Sequence, residues 1–318
     1  MGIQSSLGKA FEFACLNSLK KSLIMTQPVF IEQTRALFTA KDNYDTANEI
    51  MKEKMDKGAD AATRVILKLE PQLVYPQNNK PLFLSIQEDA AGIRGDVRDI
   101  LCIRKQNGWE IGLSCKHNHT AVKHSRLSGN IDFGSMWFDI PCSQEYFDNI
   151  SPLFQELKEL KEGKIRWREL DNKATRFYKP ILKEFINEII SLDNANPGII
   201  PQKLLQYLIG NNDFYKVITI DSRRVTQVMA YNLYGTLNKR SGKERSLVGI
   251  PQLSLPTRFF DISFKPGSEN TIIIACDNGW TVSMRIHNAS SIVEPSLKFD
   301  IQLKGVPQEL HSHHESWD

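Results

Sequence analysis

The centre of the fold is encoded by two neighbouring apolar runs, Gly95-Asp96-Val97-Arg98-Asp99-Ile100-Leu101-Cys102-Ile103 and Trp109-Glu110-Ile111-Gly112-Leu113-Ser114-Cys115-Lys116. Both runs are short and contain residues that favour strands, and the segment Lys105-Gln106-Asn107-Gly108 between them is typical of a tight turn. The pattern therefore predicts a hairpin of two strands, over residues 97–103 and 109–116.

Charged side chains lie where these two strands begin and end. Asp99 stands at the start of the first apolar strand, and Lys116 ends the second. On the second strand Glu110, Ser114 and Lys116 project to one face, because side chains alternate with a period of two. A carboxylate and a lysine on neighbouring strands can therefore meet at one point. Phosphodiester hydrolysis can use this grouping, since carboxylates hold Mg²⁺ and a lysine orients or helps to deprotonate the attacking water.

An aspartate and a lysine on adjacent strands are weakly diagnostic alone, because a polar hairpin edge with solvated charges contains the same residues. Three features favour the chemical interpretation. Gly92 and Gly95 flank the turn, Glu110 adds a carboxylate to the face, and a polar segment follows Lys116. The polar groups of that segment are His117, Asn118, His119, Lys123, His124 and Arg126.

The spacing resembles the PD-(D/E)xK nuclease motif, with Asp99 in the aspartate place and Ser114-Cys115-Lys116 in the (D/E)xK place. Ser114 departs from the pattern, because it leaves the second acidic ligand missing from the catalytic set. Some nucleases of this superfamily recruit a carboxylate from elsewhere, often a glutamate on an N-terminal helix. The segment Gly8-Lys9-Ala10-Phe11-Glu12 resembles such a helix. The resemblance thus implies Glu12 as the first candidate for the missing metal ligand and Glu110 as the second.

Further segments are most similar to the HaeIII-type restriction endonuclease family. They cover residues 122–128, 207–210, 213–218, 278–280, 285–291 and 294–300. The resemblance implies a Mg²⁺-dependent type II enzyme that cuts the palindrome GGCC in double-stranded DNA, with a blunt cut between G and C and 5′-phosphate ends. A palindromic target matches a two-fold symmetric homodimer, with one subunit for each strand.

Clusters of cations and polar donors suggest where DNA is contacted. Residues 239–245 form a basic run that contains glycine, and residues 285–291 follow a strand. A solvated surface turn is the commoner explanation for the first run, and a strand end with a capped turn explains the second equally well. Arginine and lysine read guanine O6 and N7, which suits a G·C-rich target. The candidate DNA contacts are Lys123, His124, Arg126, Arg240, Lys243, Arg245, Arg285, His287 and Asn288.

Composition limits the class of protein. The 318 residues contain 40 Lys+Arg and 37 Asp+Glu, a net charge of +3 that excludes a generally basic coat. No apolar run approaches the roughly 18–20 residues that a membrane span needs. With no signal-peptide pattern at the start, the chain is expected to be cytoplasmic. Its five cysteines are scattered without a C-x-x-C pair, which argues against zinc and favours reduced thiols. No organic cofactor is implied.

The order of the predicted elements gives the fold class. Helices are predicted over residues 5–25, 29–70, 142–162, 173–192 and 204–209, with a loop over 71–81. Short β-runs follow over residues 217–220, 225–230, 259–264, 271–275, 281–286 and 297–303. The sequence thus predicts an α/β (α+β) nuclease core with a central mixed sheet flanked by helices, plus a β-rich C-terminal region. The soft boundary divides residues 1–195, the nuclease core, from 196–318, the recognition region, and one integrated domain is the alternative.

Two other functions stay open at this point. One is a structure-specific repair or junction-resolving nuclease built on the same core. The large β-rich C-terminal portion favours a protein that recognises a DNA sequence instead. The other is a catalytically inactive, sequence-specific DNA-binding protein, which Ser114 in an acidic position makes conceivable. The C-terminal segment, residues 311–318, is expected to be frayed and uninvolved.

Overall fold

A computed structural model describes residues 3–76, 80–88, 95–118 and 125–318. The α-helices are α1 Ile3–Leu23, α2 Arg35–Asp45, α3 Glu49–Leu69, α4 Pro71–Val74, α5 Phe133–Phe138, α6 Gln144–Glu162, α7 Lys179–Ala195 and α8 Ile200–Ile209. The strands are β1 Val29–Ile31, β2 Leu82–Ile86, β3 Ile100–Arg104, β4 Trp109–His117, β5 Arg126–Leu127, β6 Phe214–Ile220, β7 Val225–Tyr231, β8 Phe259–Phe264, β9 Thr271–Cys276, β10 Thr281–His287, β11 Leu297–Gly305 and β12 Ser312–Ser316. No described helix is both long enough and apolar enough to cross a lipid bilayer.

A seven-stranded sheet in the order β1-β2-β3-β4-β6-β7-β12 contains the predicted hairpin. Strands β3 and β4 pair in antiparallel fashion, with Ile100 opposite Leu113. Strand β6 lies parallel to β4, and β7 returns antiparallel to β6. Because the sheet mixes both pairings and helices pack on it, the prediction of a central mixed sheet flanked by helices is confirmed.

One face of this sheet is apolar and is covered by α1 and α3. The buried side chains of this layer include Phe11, Leu16, Leu19, Met55, Ile66, Leu84, Cys102, Leu113, Val217 and Val228. Helix α3 approaches closely at Gly58, where a Cβ atom would lie 2.5 Å from Thr219 Cγ2. Since side chains alternate along a strand, Ser114 and Lys116 point to the face opposite Leu113.

The chain divides into two compact units. The first contains Met1–Thr120, Gly210–Leu253 and Glu309–Asp318, and the second contains Ala121–Ile209 and Ser254–Gln308. The seven-stranded sheet lies in the first unit. The second unit holds a five-stranded antiparallel sheet in the order β5-β11-β10-β9-β8. The chain therefore passes between the units several times, whereas the sequence predicts either one soft boundary, between residues 195 and 196, or one integrated domain.

Aromatic packing explains why the middle helices belong to the second unit. The centroid of the Phe185 ring, on α7, lies 4.7 Å from the ring centroid of Phe133 on α5 and 5.2 Å from that of Phe299 on β11. Trp137 of α5 completes the cluster, 5.6 Å from Phe185. Helices α5 and α7 thus bury their apolar faces together with the five-stranded sheet.

The prediction of one helical stretch over residues 29–70 is wrong in detail. Val29 begins a short strand parallel to β2, and two separate helices follow. Each has its own cap: the Thr34 side chain accepts a hydrogen bond from the backbone of α2, and Asn48 does the same for α3. These caps satisfy backbone N–H groups that a continuous helix would use internally. Residues 71–74, predicted as a loop, form the single turn α4.

The C-terminal segment is ordered rather than frayed, so this prediction is also wrong. Residues 312–316 form β12, which pairs with β7. The Trp317 indole is buried and donates a hydrogen bond of 2.9 Å to Thr226 Oγ1. Arg64 of α3 binds Glu315 at 3.0 Å. A buried aromatic anchor therefore fixes the segment to the edge of the sheet.

Glu70 is a buried carboxyl between α3 and α4. Its Oε1 accepts hydrogen bonds from the Tyr215 hydroxyl at 2.6 Å and the Asn238 backbone at 2.7 Å. Its Oε2 is buried without a hydrogen-bond partner among the described residues. Burial raises the pKa of Glu70 to about 7, and the two hydrogen bonds only partly oppose that shift. Its ionised form is therefore destabilising.

Replacing Glu70 by glutamine is expected to change how stability depends on pH. The carboxyl is protonated in the folded chain up to about pH 7. In the unfolded chain the Glu70 carboxyl ionises near its ordinary pKa. The protonated carboxyl therefore stabilises the fold below that ordinary pKa, and this stabilisation is lost as pH rises through the pKa of the folded chain. The difference in free energy of unfolding, Glu70→Gln minus wild type, should therefore increase by about 3 kcal/mol between pH 4.5 and pH 8. Denaturant titrations measure this gain. The exposed Glu53→Gln is the control, and an equal gain there contradicts the assignment.

Candidate active site

Asp99 lies immediately before β3, where its backbone N–H donates to Leu113 O at 2.7 Å. This pairing places its side chain over the end of β4. There Asp99 Oδ2 accepts hydrogen bonds from the Cys115 backbone at 2.6 Å and from Lys116 Nζ at 3.2 Å. The Ser114 hydroxyl is 3.4 Å from the same oxygen. The hairpin thus brings together the aspartate and the lysine that the sequence singled out.

Lys116 is held as a cation beside this carboxylate. Burial is the largest influence and favours the neutral amine, but the charge and hydrogen bond of Asp99, with smaller contributions from Glu12 and Cys115, together outweigh it. The pKa of Lys116 is therefore raised above its ordinary value. The side chain remains 30% exposed. A protonated ammonium group donates hydrogen bonds and stabilises negative charge. This state suits the orientation of an attacking water better than direct removal of its proton.

Glu12 of α1 supplies a second, deeply buried carboxyl. It is 5% exposed and pairs with Lys9 Nζ at 3.2 Å. Burial raises the pKa of Glu12 to about 8, and the negative charge of Asp99 contributes to the shift. Lys9 and Lys116 act in the opposite direction. Glu12 and Asp99 are therefore close enough to repel each other, and a cation between them would relieve both the repulsion and the burial cost.

The donor set fits a magnesium ion. Mg²⁺ is usually held by one or two carboxylates and keeps several water ligands. Asp99 and Glu12 meet that requirement. No group of three or more His, Cys, Asp or Glu side chains that could hold a metal occurs in the described ranges. Waters and substrate oxygens would thus complete the coordination, which is common for Mg²⁺ in enzymes that act on phosphates.

Ser114 supports Asp99 and adds no charge. Its side chain is 3% exposed, and its hydroxyl points at Asp99 Oδ2. A hydroxyl donor in this position helps to orient the carboxylate. It is a much weaker ligand for Mg²⁺ than the carboxylate that the nuclease motif places there.

Glu110 shares the face of β4 with Ser114 but has a different partner. Its Oε1 lies 2.6 Å from Arg98, which also binds Asp96 at 2.7 Å. Arg98 can cross the strand because residue 112 is glycine: a Cβ atom there would lie 2.1 Å from Arg98 Cδ. The structure therefore ties Glu110 to an arginine, whereas Glu12 lies within the electrostatic reach of Asp99.

Lys216 lies beside the candidate site, although no pattern in the sequence singled it out. It lies on β6 directly beside Ser114 in the parallel pairing. The side chain is 4% exposed. Burial lowers the pKa of Lys216 to about 8, helped by the charge of Lys116 and opposed by Asp99. The segment 213–218 is an ordinary buried strand by its pattern. Only the pairing of strands about one hundred residues apart shows that its lysine faces the site.

The basic loop at residues 239–245 belongs to the first unit and has a rigid base. Asp213 is buried, and its carboxylate accepts four hydrogen bonds of 2.5 to 2.8 Å from residues 233–236. Glu70 accepts from the backbone of Asn238, the residue before the loop. Within the loop, Ser241 and Glu244 pair across a turn. The candidate DNA contacts on this loop are Arg240, Lys243 and Arg245.

The other described candidates for DNA contact lie in the second unit. Arg285 is exposed on β10 and pairs with Asp300 at 3.4 Å. Arg126 pairs with Glu294 at 3.5 Å. His287 Nδ1 contacts the Asn288 carbonyl at 3.0 Å.

Asn288 is occupied by its own loop. Its side-chain amide donates to Ile292 O at 3.0 Å, and its Oδ1 accepts from the Glu294 backbone at 3.3 Å. This side chain therefore supports the loop on which His287 and Asn288 were predicted to meet DNA. Two further candidates, Lys123 and His124, lie outside the described residues.

Comparison with known proteins identifies the family of the chain. A sequence profile of the family described as HaeIII restriction endonuclease matches residues 8–307. The chain is also 47% identical over 311 residues to the type II restriction enzyme HaeIII of Haemophilus aegyptius. That alignment covers 98% of this chain and 97% of the relative. No solved structure matches the chain at a significant level. The profile covers most of both compact units and the relative is aligned over nearly the whole chain, and so the chain belongs to the HaeIII restriction endonuclease family.

Proposed function

We propose that this type II restriction endonuclease cuts double-stranded DNA at GGCC, with a blunt cut between G and C, in a reaction that requires Mg²⁺. The observation that carries the chemistry is the arrangement at Asp99. One carboxylate oxygen there is shared by Lys116 Nζ at 3.2 Å and the Cys115 backbone at 2.6 Å, beside the buried carboxyl of Glu12. The target follows from the similarity to the enzyme of Haemophilus aegyptius.

Each side chain has a role in hydrolysis that its environment supports. Asp99 and Glu12 would hold Mg²⁺, which supplies Lewis-acid polarisation of the scissile phosphate. Lys116 donates to the attacking water and orients it towards phosphorus. Ser114 holds Asp99 in place. The reaction breaks the bond to the 3′ oxygen and therefore leaves 5′-phosphate and 3′-hydroxyl ends.

We expect the basic loop of the first unit to contact DNA, and we expect the same, independently, of the candidate cations of the second unit. A two-fold target suits a homodimer, because each subunit then presents one active site to one strand. The five cysteines are all free and buried, which suits the reducing cytoplasm where we expect the enzyme to meet DNA.

Digestion of a plasmid in the presence of Mg²⁺ tests this function against its rivals. Discrete fragments whose number matches the GGCC sites are the expected result. Cleavage confined to branched DNA would instead indicate a junction-resolving nuclease. Retention of a GGCC duplex without cleavage would indicate an inactive binder, and either of these two results contradicts the proposal.

The basic loop gives a separate prediction about binding. Replacing Lys243 or Arg245 by glutamine is expected to lower the slope of log K against log salt by about one unit for each lost phosphate contact. Affinity for GGCC duplexes would be measured in Ca²⁺ over a range of salt concentrations. Lys57→Gln, on the exposed face of α3, removes the same charge and is the control. A slope equal to wild type in both loop variants contradicts contact with phosphate.

A further inference from the structure

Lys216 is the one buried ammonium group among the described residues for which the proposed mechanism has no role. In a parallel pair, residues in register project to the same face, so Lys216 lies beside Ser114 on the catalytic side of the sheet. Its strand neighbours Tyr215 and Val217 are buried in the apolar layer on the other face. Lys216 is thus the point where β6 reaches the active site.

Lys216 brings a charge into a buried position. It is 4% exposed, and a buried ammonium group needs other charges or hydrogen-bonding groups around it. Asp99 and Lys116, both members of the proposed site, lie close enough for their charges to act on Lys216. The charge of Lys216 therefore belongs to the electrostatics of the site.

The neighbour of Lys216 is the position where this chain departs from the nuclease motif. Ser114 removes one negative charge from the (D/E)xK place, and Lys216 adds one positive charge beside it. The missing carboxylate and the added ammonium group both weaken the attraction of the site for a second divalent ion. Both also leave fixed positive charge close to where a phosphate must approach Lys116 and Asp99.

We propose that Lys216 is a positioning residue of the active site, whose ammonium group supplies, beside Ser114, the positive charge that a second metal ion would otherwise supply. It acts through Asp99 and Lys116. It repels Lys116 towards the carboxylate, and it limits the carboxylates to one divalent ion. The inference rests on the proposed roles of Asp99 and Glu12.

Two kinds of measurement separate this role from a structural one. Binding of Ca²⁺ to the full-length protein without DNA, followed by calorimetry, reports on the charge at the site. Single-turnover cleavage of a GGCC duplex in Mg²⁺ reports on the reaction. Lys216→Met removes the charge, Lys216→Arg keeps it, and Lys57→Met removes the charge of a partly exposed lysine elsewhere in the first unit.

Removal of the Lys216 charge is expected to strengthen Ca²⁺ binding and to slow DNA cleavage. Lys216→Met should bind Ca²⁺ more tightly, by on the order of tenfold, because a like charge has been removed. It should also cleave roughly tenfold or more slowly, because fixed positive charge is lost near the phosphate. Lys216→Arg should stay closer to wild type in both measurements, and Lys57→Met should match wild type. Wild type should bind one Ca²⁺ per active site.

Several results would overturn the inference. They are unchanged cleavage by Lys216→Met, unchanged or weaker Ca²⁺ binding by that variant, or two Ca²⁺ ions per active site in wild type. The last of these needs no variant, so the inference remains testable if Lys216→Met does not fold. Failure of wild type itself to cut GGCC would instead contradict the proposed function.

Discussion

Replacing Asp99 by asparagine is expected to lower the rate of DNA cleavage by about 10³-fold or more. Asparagine keeps an oxygen that can accept hydrogen bonds from the Cys115 backbone and Lys116, so the hairpin should keep its geometry. The negative charge that would hold Mg²⁺ is lost. Single-turnover digestion of a GGCC duplex measures the rate, and retention of the same duplex in Ca²⁺ shows that binding survives.

Matched variants make this result specific. Asp45→Asn removes a carboxylate from an exposed position on α2 and should cleave like wild type. Lys116→Met should lose cleavage to a similar extent as Asp99→Asn while it still binds DNA. Wild-type rates in Asp99→Asn or in Lys116→Met would remove that residue from the mechanism.

Replacing Glu12 by glutamine is expected to lower cleavage by about 10²-fold or more without loss of stability. Glu12 is buried and lies close enough to Asp99 for the two charges to repel each other. A neutral amide of the same shape removes the cost of burying a charge there, so the melting temperature of the variant should equal or exceed that of wild type. Affinity for Ca²⁺ should fall, because one of the two proposed ligands loses its charge. Calorimetry and thermal unfolding measure the two effects on one preparation.

The same experiment on Glu110 decides between the two candidate ligands. Glu110→Gln removes a charge from the same face of β4, but its partner is Arg98 at 2.6 Å. We expect its Ca²⁺ affinity and cleavage rate to remain within a few-fold of wild type. If Glu110→Gln loses Ca²⁺ binding while Glu12→Gln retains it, Glu110 rather than Glu12 completes the metal site.

The central hairpin could be predicted because its information is local. Asp99 and Lys116 are close in the chain, and alternation along two short strands is enough to bring them together. Glu12 is different, because its approach to the site depends on how α1 packs on the sheet. No local pattern encodes that packing, so only the resemblance to other nucleases indicated Glu12 as a candidate metal ligand.

Lys216 and the division into units could not be read from local patterns. The lysine reaches the site through a parallel pairing of β4 with β6, which depends on the order of strands in the folded sheet. Likewise, α5 and α7 are ordinary amphipathic helices, and only the aromatic contacts around Phe185 show which sheet they cover. Residues 312–316 form an edge strand because Trp317 is buried, which is a tertiary effect.

Sequencing the ends of fragments from a plasmid digest reports both the target of the enzyme and the position of its cut. Every end is expected to lie between the second G and the first C of a GGCC site, and to be blunt with a 5′-phosphate. Ends at other sequences, staggered ends or 3′-phosphates would contradict the proposed function.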